Sequence, residues 1–216
     1  MRFFTFDKYN TWHDWRLTLT AKDVTPPELK TNYITLDGVS GTLDLSEALT
    51  GEVAYNDRTV SASFWTSEGN FQERVVLCRD IVAALHGKKV QIIEPDDPEH
   101  YFLGRVRVKR QTFDQVHAEL DIEAVCDPWR YAVEETVRTV EVSDQRIGVS
   151  FRNDGARTIC PDLQVTGTVK IASDDAAVTL TTGAYKIADL KLRQGVNTLY
   201  LDGAGSVTFI YREAGL

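Results

Sequence analysis

The strict two-residue alternation of "VHAELDIEAV" constrains the fold more than any other feature of the chain. Apolar side chains occupy every second position, and polar or charged side chains occupy the positions between them. Because successive side chains of a strand point to opposite faces of a sheet, this pattern predicts a half-buried strand. The preceding stretch "LGRVRVKR" alternates in the same way and predicts an antiparallel partner strand, joined to the first by a turn near Asp114.

Opposite charges on these two stretches predict a register for the hairpin. The predicted facing pairs are Arg105 with Glu123, Arg107 with Asp121 and Lys109 with Glu119. Each pair of opposite charges on facing strands stabilises a sheet by roughly 0.2–1 kcal/mol. The charges and the alternation therefore favour the same pairing.

One segment has the periodicity of a helix instead. Within "SEGNFQERVVLCRDIVAALHGK", apolar residues spaced by three and four predict a helix whose apolar stripe comprises Phe71, Val75, Cys78, Val82 and Leu85. Ser67 or Asn70 is a suitable N-cap. Gly87 stands where a left-handed residue usually ends a helix.

The following stretch, "VQIIEPDDPEHYFLGRV", predicts a strand over 90–94, a turn containing Pro95 and Pro98, and a second strand from Tyr101. Its acidic residues could be oxygen ligands for calcium. A calcium loop needs glycine at its sharp turn, however, and this segment has prolines instead. A polar hairpin tip is therefore the favoured interpretation.

The alternation stops at "CDPWRYAVEE", where Pro128 is expected to end the strand. We therefore predict two domains, residues 1–132 and 133–216. The second contains eight short alternating runs that recur about every 8–12 residues, with Gly, Asn or Asp between them, which is typical of a β-sandwich or jelly roll.

Composition and motifs argue against several classes of function. The net charge of −8 is unfavourable for a protein that holds nucleic acid by its phosphates. No apolar run is long enough to cross a bilayer and no secretory signal is recognisable, so we expect folding in a cytoplasm without membrane insertion. The three cysteines lie far apart, and no zinc, phosphate-loop or nucleophile-elbow spacing occurs. We predict no catalytic residue, cofactor or metal.

The glycine-bracketed segment "DGVSGTLDLSEALTG" remains to be explained. It matches no phosphate-binding loop, and its excursion of about 13 residues is long for a simple connection. Either a functional loop or an arm is consistent with the residues.

With these landmarks, the chain resembles the distal tail proteins of long-tailed phages that infect Gram-positive bacteria, the Dit family. The resemblance rests on an ordered set of segments: "FTFDKYNTWHDWRLTL", "PPELKTNYITLDGVSGTLDLSEALTG", "YNDRTVSASF", "LHGKKVQI", "DDPEHYFLGRV", "CDPWRY" and "GAGSVTFIYREAGL". Two departures stand out. Arg16 occupies a position where the family often has glycine, and the second domain is short and lacks an inserted sugar-binding module.

The resemblance implies a mainly β protein. Its N-terminal β-sandwich would carry one α-helix and a projecting hairpin, and a galectin-like β-sandwich of jelly-roll type would follow. It also implies a non-enzymatic virion component without cofactors, located at the tail tip and assembled in the host cytoplasm. Six copies would form a ring that contacts the tail tube protein, the tail-associated hub protein and the receptor-binding protein. DNA would pass through the channel of this ring without specific binding.

A ring of this kind needs contacts between unlike surfaces of neighbouring copies, which an extended arm can supply. We therefore expect the glycine-bracketed segment, residues 38–52, to be an interprotomer arm. Its expected interface residues are Gly38, Gly41, Thr42, Leu43, Leu45, Leu49 and Gly51. The "EPDDPEHY" hairpin is the alternative candidate for the projecting element.

A different class of function is a carbohydrate-binding module that recognises bacterial cell-wall polysaccharide. Aromatic side chains stack on sugars, and the tyrosine candidates in the second domain are Tyr185, Tyr200 and Tyr211. The hypothesis of a cytosolic hydrolase rests only on scattered Asp, Glu and His residues.

Overall fold

The computed structural model describes residues 2–48, 51–173 and 176–216. The chain divides into two compact units, residues 1–130 and 131–216. Both are built mainly of antiparallel strands in curled sheets, and the described residues contain one α-helix, so the predicted mainly β class is confirmed. Within the described ranges, no helix is long and apolar enough to cross a membrane.

The first unit holds one large sheet, one helix and a small separate sheet. Its elements are β1 (Thr5–Phe6), β2 (Tyr9–Asn10), β3 (Thr18–Val24), β4 (Tyr33–Thr35), β5 (Thr42–Asp44), β6 (Arg58–Thr66), α1 (Phe71–Leu85), β7 (Lys89–Glu94), β8 (Asp97–Phe113) and β9 (Ala118–Ala132). The large sheet has the order β2-β1-β7-β8-β9-β6-β3, and β4 pairs with β5. This order places β3 at one edge.

Aromatic side chains fill the core of this unit. Phe4 lies 6.0 Å from both Phe6 and Phe64, measured between ring centroids, and all three are essentially inaccessible to solvent. Burying a side chain of this size stabilises a fold by about 1.5–3 kcal/mol. From the helix, Ile81 and Leu85 join the same core.

The predicted helix is confirmed, and its ends follow from its capping residues. The Asn70 side chain accepts a hydrogen bond from the Glu73 backbone N at 3.0 Å, and the Asn70 backbone N donates to the Glu73 carboxylate at 2.8 Å. This is a capping box, which satisfies two amide groups that the helix itself cannot. Gly87 has a φ of 78°, the left-handed conformation expected beyond the last turn.

The predicted apolar stripe of the helix is only partly correct. Cys78 and Leu85 are buried, but Phe71 is 41% exposed. Arg74 and Ile81 complete the buried face. Arg74 is buried because its guanidinium donates to the backbone oxygens of Gly69 and Gln115, the latter at 2.9 Å.

The β8–β9 hairpin forms as predicted, but its charged pairs differ. Asp114 N donates to His117 O at 3.0 Å, so the turn is centred beyond Asp114. Lys109 pairs with Glu123 at 2.7 Å, whereas Glu119 was expected.

Pro128 does not end β9, contrary to the prediction. The strand continues through it to Ala132. The Pro128 carbonyl accepts a hydrogen bond from Arg58, a buried residue whose guanidinium also lies 5.0 Å from the Phe102 ring centroid.

The second unit contains one five-stranded sheet. Its strands are β10 (Thr136–Ser143), β11 (Ile147–Asn153), β12 (Asp162–Ala172), β13 (Ala177–Lys186) and β14 (Gly195–Tyr211), followed by the two-residue β15 (Ala214–Gly215). The order is β10-β14-β12-β13, and β11 also pairs with β14. The core contains Phe151 and Phe209, whose ring centroids lie 4.5 Å apart.

Fewer and longer strands form in this unit than the eight runs predicted. Gly167, Gly203 and Gly205 lie inside strands, where they have positive φ angles and let neighbouring backbones approach closely. The segments "LQVTG" and "TVKIA" therefore belong to one strand, and so do "NTLYLDG" and "SVTFIY".

Candidate functional site: an exposed two-stranded arm

Between β3 and β6 the chain leaves the large sheet and returns as a two-stranded extension, described over residues 28–48 and 51–56, which we call the arm. At its base, Asn56 N donates to Glu28 O at 2.8 Å and Lys30 N donates to Ala54 O at 2.9 Å. Further out, β4 and β5 pair with each other as a sheet of their own.

The arm carries an unusual concentration of exposed apolar side chains. Of the fifteen large apolar side chains exposed in the described residues, seven belong to the arm: Leu29, Tyr33, Ile34, Leu36, Val39, Leu43 and Val53. Val39 is 61% exposed and Tyr33 58%. A concentration of exposed apolar side chains of this kind is typical of a site that contacts another protein.

The root of the arm is fixed to the body of the first unit. Arg58 donates from Nε to Thr25 O at 3.1 Å, next to the point where the arm begins. Tyr55 packs edge-on against Trp129, with ring centroids 5.5 Å apart. These contacts order the base while the outer half stays exposed.

The predicted interface residues occupy different parts of this arm. Gly38 and Gly41 lie in the tip with φ angles of 81° and 89°, a backbone conformation that glycine adopts without strain. In β5, Thr42 pairs with Thr35 and Leu43 with Ile34. Three more predicted residues follow β5: Leu45 is half-buried, Gly51 is exposed with a φ of 69°, and Leu49 lies outside the described residues.

The arm is longer than the predicted segment of 38–52, and sequence reasoning missed the strand that pairs with β5. Tyr33, Ile34 and Leu36 belong to this missed half and are all exposed. The stretch "NYITL", adjacent to the glycines and opposite "TLDL", was the available signal.

The alternative hairpin, "EPDDPEHY", is a tight turn within the large sheet. Glu94 pairs with Asp97, so only Pro95 and Asp96 form the loop. Arg2 and Lys22 bind the Asp96 carboxylate and lower its pKa to about 2, with the Arg2 hydrogen bond as the largest cause.

Asp97 of that hairpin is also bound by protein groups. Asp97 contacts His100 at 2.8 Å and Arg130 at 3.1 Å. Among the described residues, no group of three or more potential ligands is arranged to hold a metal ion.

Most of the aromatic residues considered for sugar stacking are occupied by other contacts. Tyr211 is buried, and Tyr185 packs against the core of the second unit. Tyr200 is 40% exposed, but the Arg146 guanidinium lies 4.5 Å from its ring centroid.

Comparison with solved structures connects these features to a known fold. A crystal structure of the Dit protein (gp 19.1) of SPP1 matches 100% of this chain and 100% of its own, with a TM-score of 0.71 and 15% sequence identity. The chain has the fold of a Dit protein. That structure is described as a paradigm of the hub adsorption apparatus in phages infecting Gram-positive bacteria. No protein-family model matches the sequence, and no curated protein matches it either.

Proposed function

We propose that this protein is a non-enzymatic structural component of a phage tail tip. In this proposal, residues 1–132 form a hexameric ring that joins the tail tube protein to the hub and receptor-binding proteins, and residues 133–216 form the outward-facing sandwich. The whole-length similarity to the SPP1 Dit fold supports this role. The protein would reside in the virion tail after assembly in the host cytoplasm.

The exposed arm is the observation that carries the proposal. A closed ring is built from heterologous contacts, in which a patch of one copy docks on a different patch of the next. An arm that leaves the sheet and exposes seven large apolar side chains supplies one such patch. Docking on a neighbour would remove these side chains from water, at about 25 cal/mol for each Å² of apolar surface buried.

The charge of the protein is compatible with a channel for DNA. At a net charge of −8, a ring of six copies would repel phosphates and let DNA pass without being retained.

The test is the mass of the full chain in solution, measured by light scattering over a range of concentrations. The variant Leu36→Ser/Val39→Ser/Leu43→Ser removes apolar surface from the arm without touching a buried side chain. We expect the wild-type chain to form hexamers and this variant to remain monomeric.

A matched control is Val137→Ser/Val196→Ser/Tyr200→Ser, which changes three exposed apolar side chains of the second unit. It should assemble like the wild type. Wild-type chains that remain monomeric at every concentration, with or without added tail tube protein, would contradict the proposal. So would an arm variant that assembles normally.

A further inference from the structure

We infer that the arm of one copy docks on the outer face of β8 and β9 of the next copy, around Arg105, Arg107 and Val125. This inference rests on the proposed function, because it names the surface that receives the arm in the ring. Two features on different parts of the first unit lead to it: the charge of the arm and an uncompensated pair of arginines.

The arm is acidic as well as apolar. Residues 28–56 contain five acidic side chains and a single lysine, Lys30. Asp37 lies at the tip beside Val39, and Asp44 ends β5 beside Leu43. Its docking surface should therefore combine an exposed apolar side chain with cations that lack a partner of their own.

The outer face of β8 carries a row of cations. Because side chains alternate along a strand, Arg105, Arg107 and Lys109 share one face, while Val106 points into the core. Lys89 of β7 lies directly opposite Arg105. Like charges in these positions destabilise a sheet unless anions compensate them.

Compensation within the chain is incomplete. Lys89 pairs with Asp127 at 3.1 Å, and Lys109 pairs with Glu123 at 2.7 Å. Arg105 donates to the Gly87 carbonyl, and neither Arg105 nor Arg107 forms an ion pair with any residue that the structure describes. Two guanidinium groups are thus left for an external carboxylate in a protein that is acidic overall.

Val125 supplies the apolar part of the same surface. It is 52% exposed on β9, and its backbone lies against Gly104, the residue before Arg105. An arm that placed a leucine or valine on Val125 would bring its acidic residues to the two arginines.

The other exposed apolar site on this face suits an acidic arm less well. A groove of about 480 Å³ lies beside Trp65, and Glu119 and Asp121 are part of its lining. Arg110 is the cation there, and it is bound by both carboxylates. The groove therefore offers the arm no unpaired cation.

The experiment is a charge swap in the full chain. The double variant Arg105→Glu/Arg107→Glu should weaken self-association at least tenfold, measured by sedimentation velocity over a concentration series. The arm variant Asp37→Lys/Glu47→Lys, which reverses two exposed carboxylates of the arm, should have the same effect. Combining all four substitutions in one chain should restore association, because the two surfaces are again of opposite charge.

A matched control reverses two arginines of the second unit, Arg138→Glu/Arg146→Glu. These residues also lack a carboxylate partner among the described residues, and the variant has the same net charge as the β8 variant. It should associate like the wild type.

The outcomes separate this inference from the proposed function. If the apolar arm variant is monomeric but the β8 variant associates normally, the docking surface is wrong and the ring proposal stands. The docking surface would also be wrong if the variant with all four substitutions failed to recover association. The same holds if the control variant lost as much self-association as the β8 variant. If neither arm variant changes association, the proposed function itself fails.

Discussion

Lys22 of β3 and Asp96 of the β7–β8 turn form an ion pair, with Nζ 2.7 Å from Oδ2. In the order of the large sheet, three strands separate β3 from β7. The contact is therefore possible only because the sheet curls until these strands approach. Lys22 also binds the buried carboxylate of Glu94, and Arg2 binds Asp96 from the N-terminal segment.

This ion pair predicts a specific pH dependence of stability. The pKa of Asp96 is lowered from 3.8 to about 2, first by its hydrogen bond from Arg2 and then by that from Lys22. A carboxyl with a depressed folded pKa contributes stability above its unfolded pKa, and this contribution is lost as the pH falls. We expect the contribution of Asp96 to disappear between about pH 4 and pH 2.

Urea unfolding from pH 2 to pH 6 tests this expectation. The variant Asp96→Asn should lose stability relative to the wild type at pH 6 and match it near pH 2. Glu99→Gln, a control on the neighbouring exposed residue, should leave the pH profile unchanged. A constant difference between Asp96→Asn and the wild type across this range would show that Asp96 acts through something other than its charge.

The N-cap of α1 gives a second prediction. Asn70→Ala removes the side chain that accepts from the Glu73 backbone, and it should lower the free energy of unfolding by about 1 kcal/mol. Ser67→Ala, at the other candidate cap, should cost less than about 0.5 kcal/mol because Asn70 occupies the cap position. Equal losses in the two variants would refute the assignment of the cap.

Arg16 provides a third prediction. Its φ of 52° lies in the left-handed region, which costs an L-residue about 1–2 kcal/mol. This conformation accounts for the glycine expected at the position from the Dit resemblance. Arg16→Gly should be at least as stable as the wild type in chemical denaturation, while Arg16→Val should be less stable. The Arg16 guanidinium lies 5.5 Å from the Trp12 ring centroid. A large loss of stability in Arg16→Gly would mean that this contact stabilises the fold by more than the backbone strain destabilises it.

Gly205 gives a fourth prediction, on the second unit. A Cβ atom there would lie 1.9 Å from the Thr166 carbonyl oxygen, and its φ is 143°. Gly205→Ala should force β14 away from β12 and unfold the second unit or destabilise it by several kcal/mol. Gly215→Ala, where a Cβ would meet nothing within 4 Å, is the control for a harmless added methyl group. A melting temperature of Gly205→Ala equal to that of the wild type would contradict the close packing of these strands.

The sequence predicted features that depend on neighbouring residues better than features that depend on distant ones. The helix is a local feature and was identified correctly, and its N-cap, Asn70, was one of the two candidates. Its buried face was not, because Phe71 and Ile81 are both apolar and only the packing against the sheet decides which is covered. The hairpin register failed similarly, since it depends on the hydrogen bond between Asp114 and His117 and not on the pattern of charges.

Glycine was the least reliable signal, because it has several structural uses. Gly38 and Gly41 do mark the tip of the arm, but Gly203 and Gly205 mark kinks within one strand and not the turns predicted there. The full length of the arm was beyond sequence reasoning as well. It is set by the bridge between Leu29 and Tyr55, which joins residues far apart in the chain.

The central claim is that copies of this chain assemble around an axis through the arm. Negative-stain electron microscopy of the purified full-length protein tests it most directly, with the Leu36→Ser/Val39→Ser/Leu43→Ser variant imaged beside it. We expect closed rings of six copies for the wild type and single particles for the variant. Fields of single particles for the wild type, at concentrations that saturate assembly and in the presence of the tail tube protein, would contradict the account.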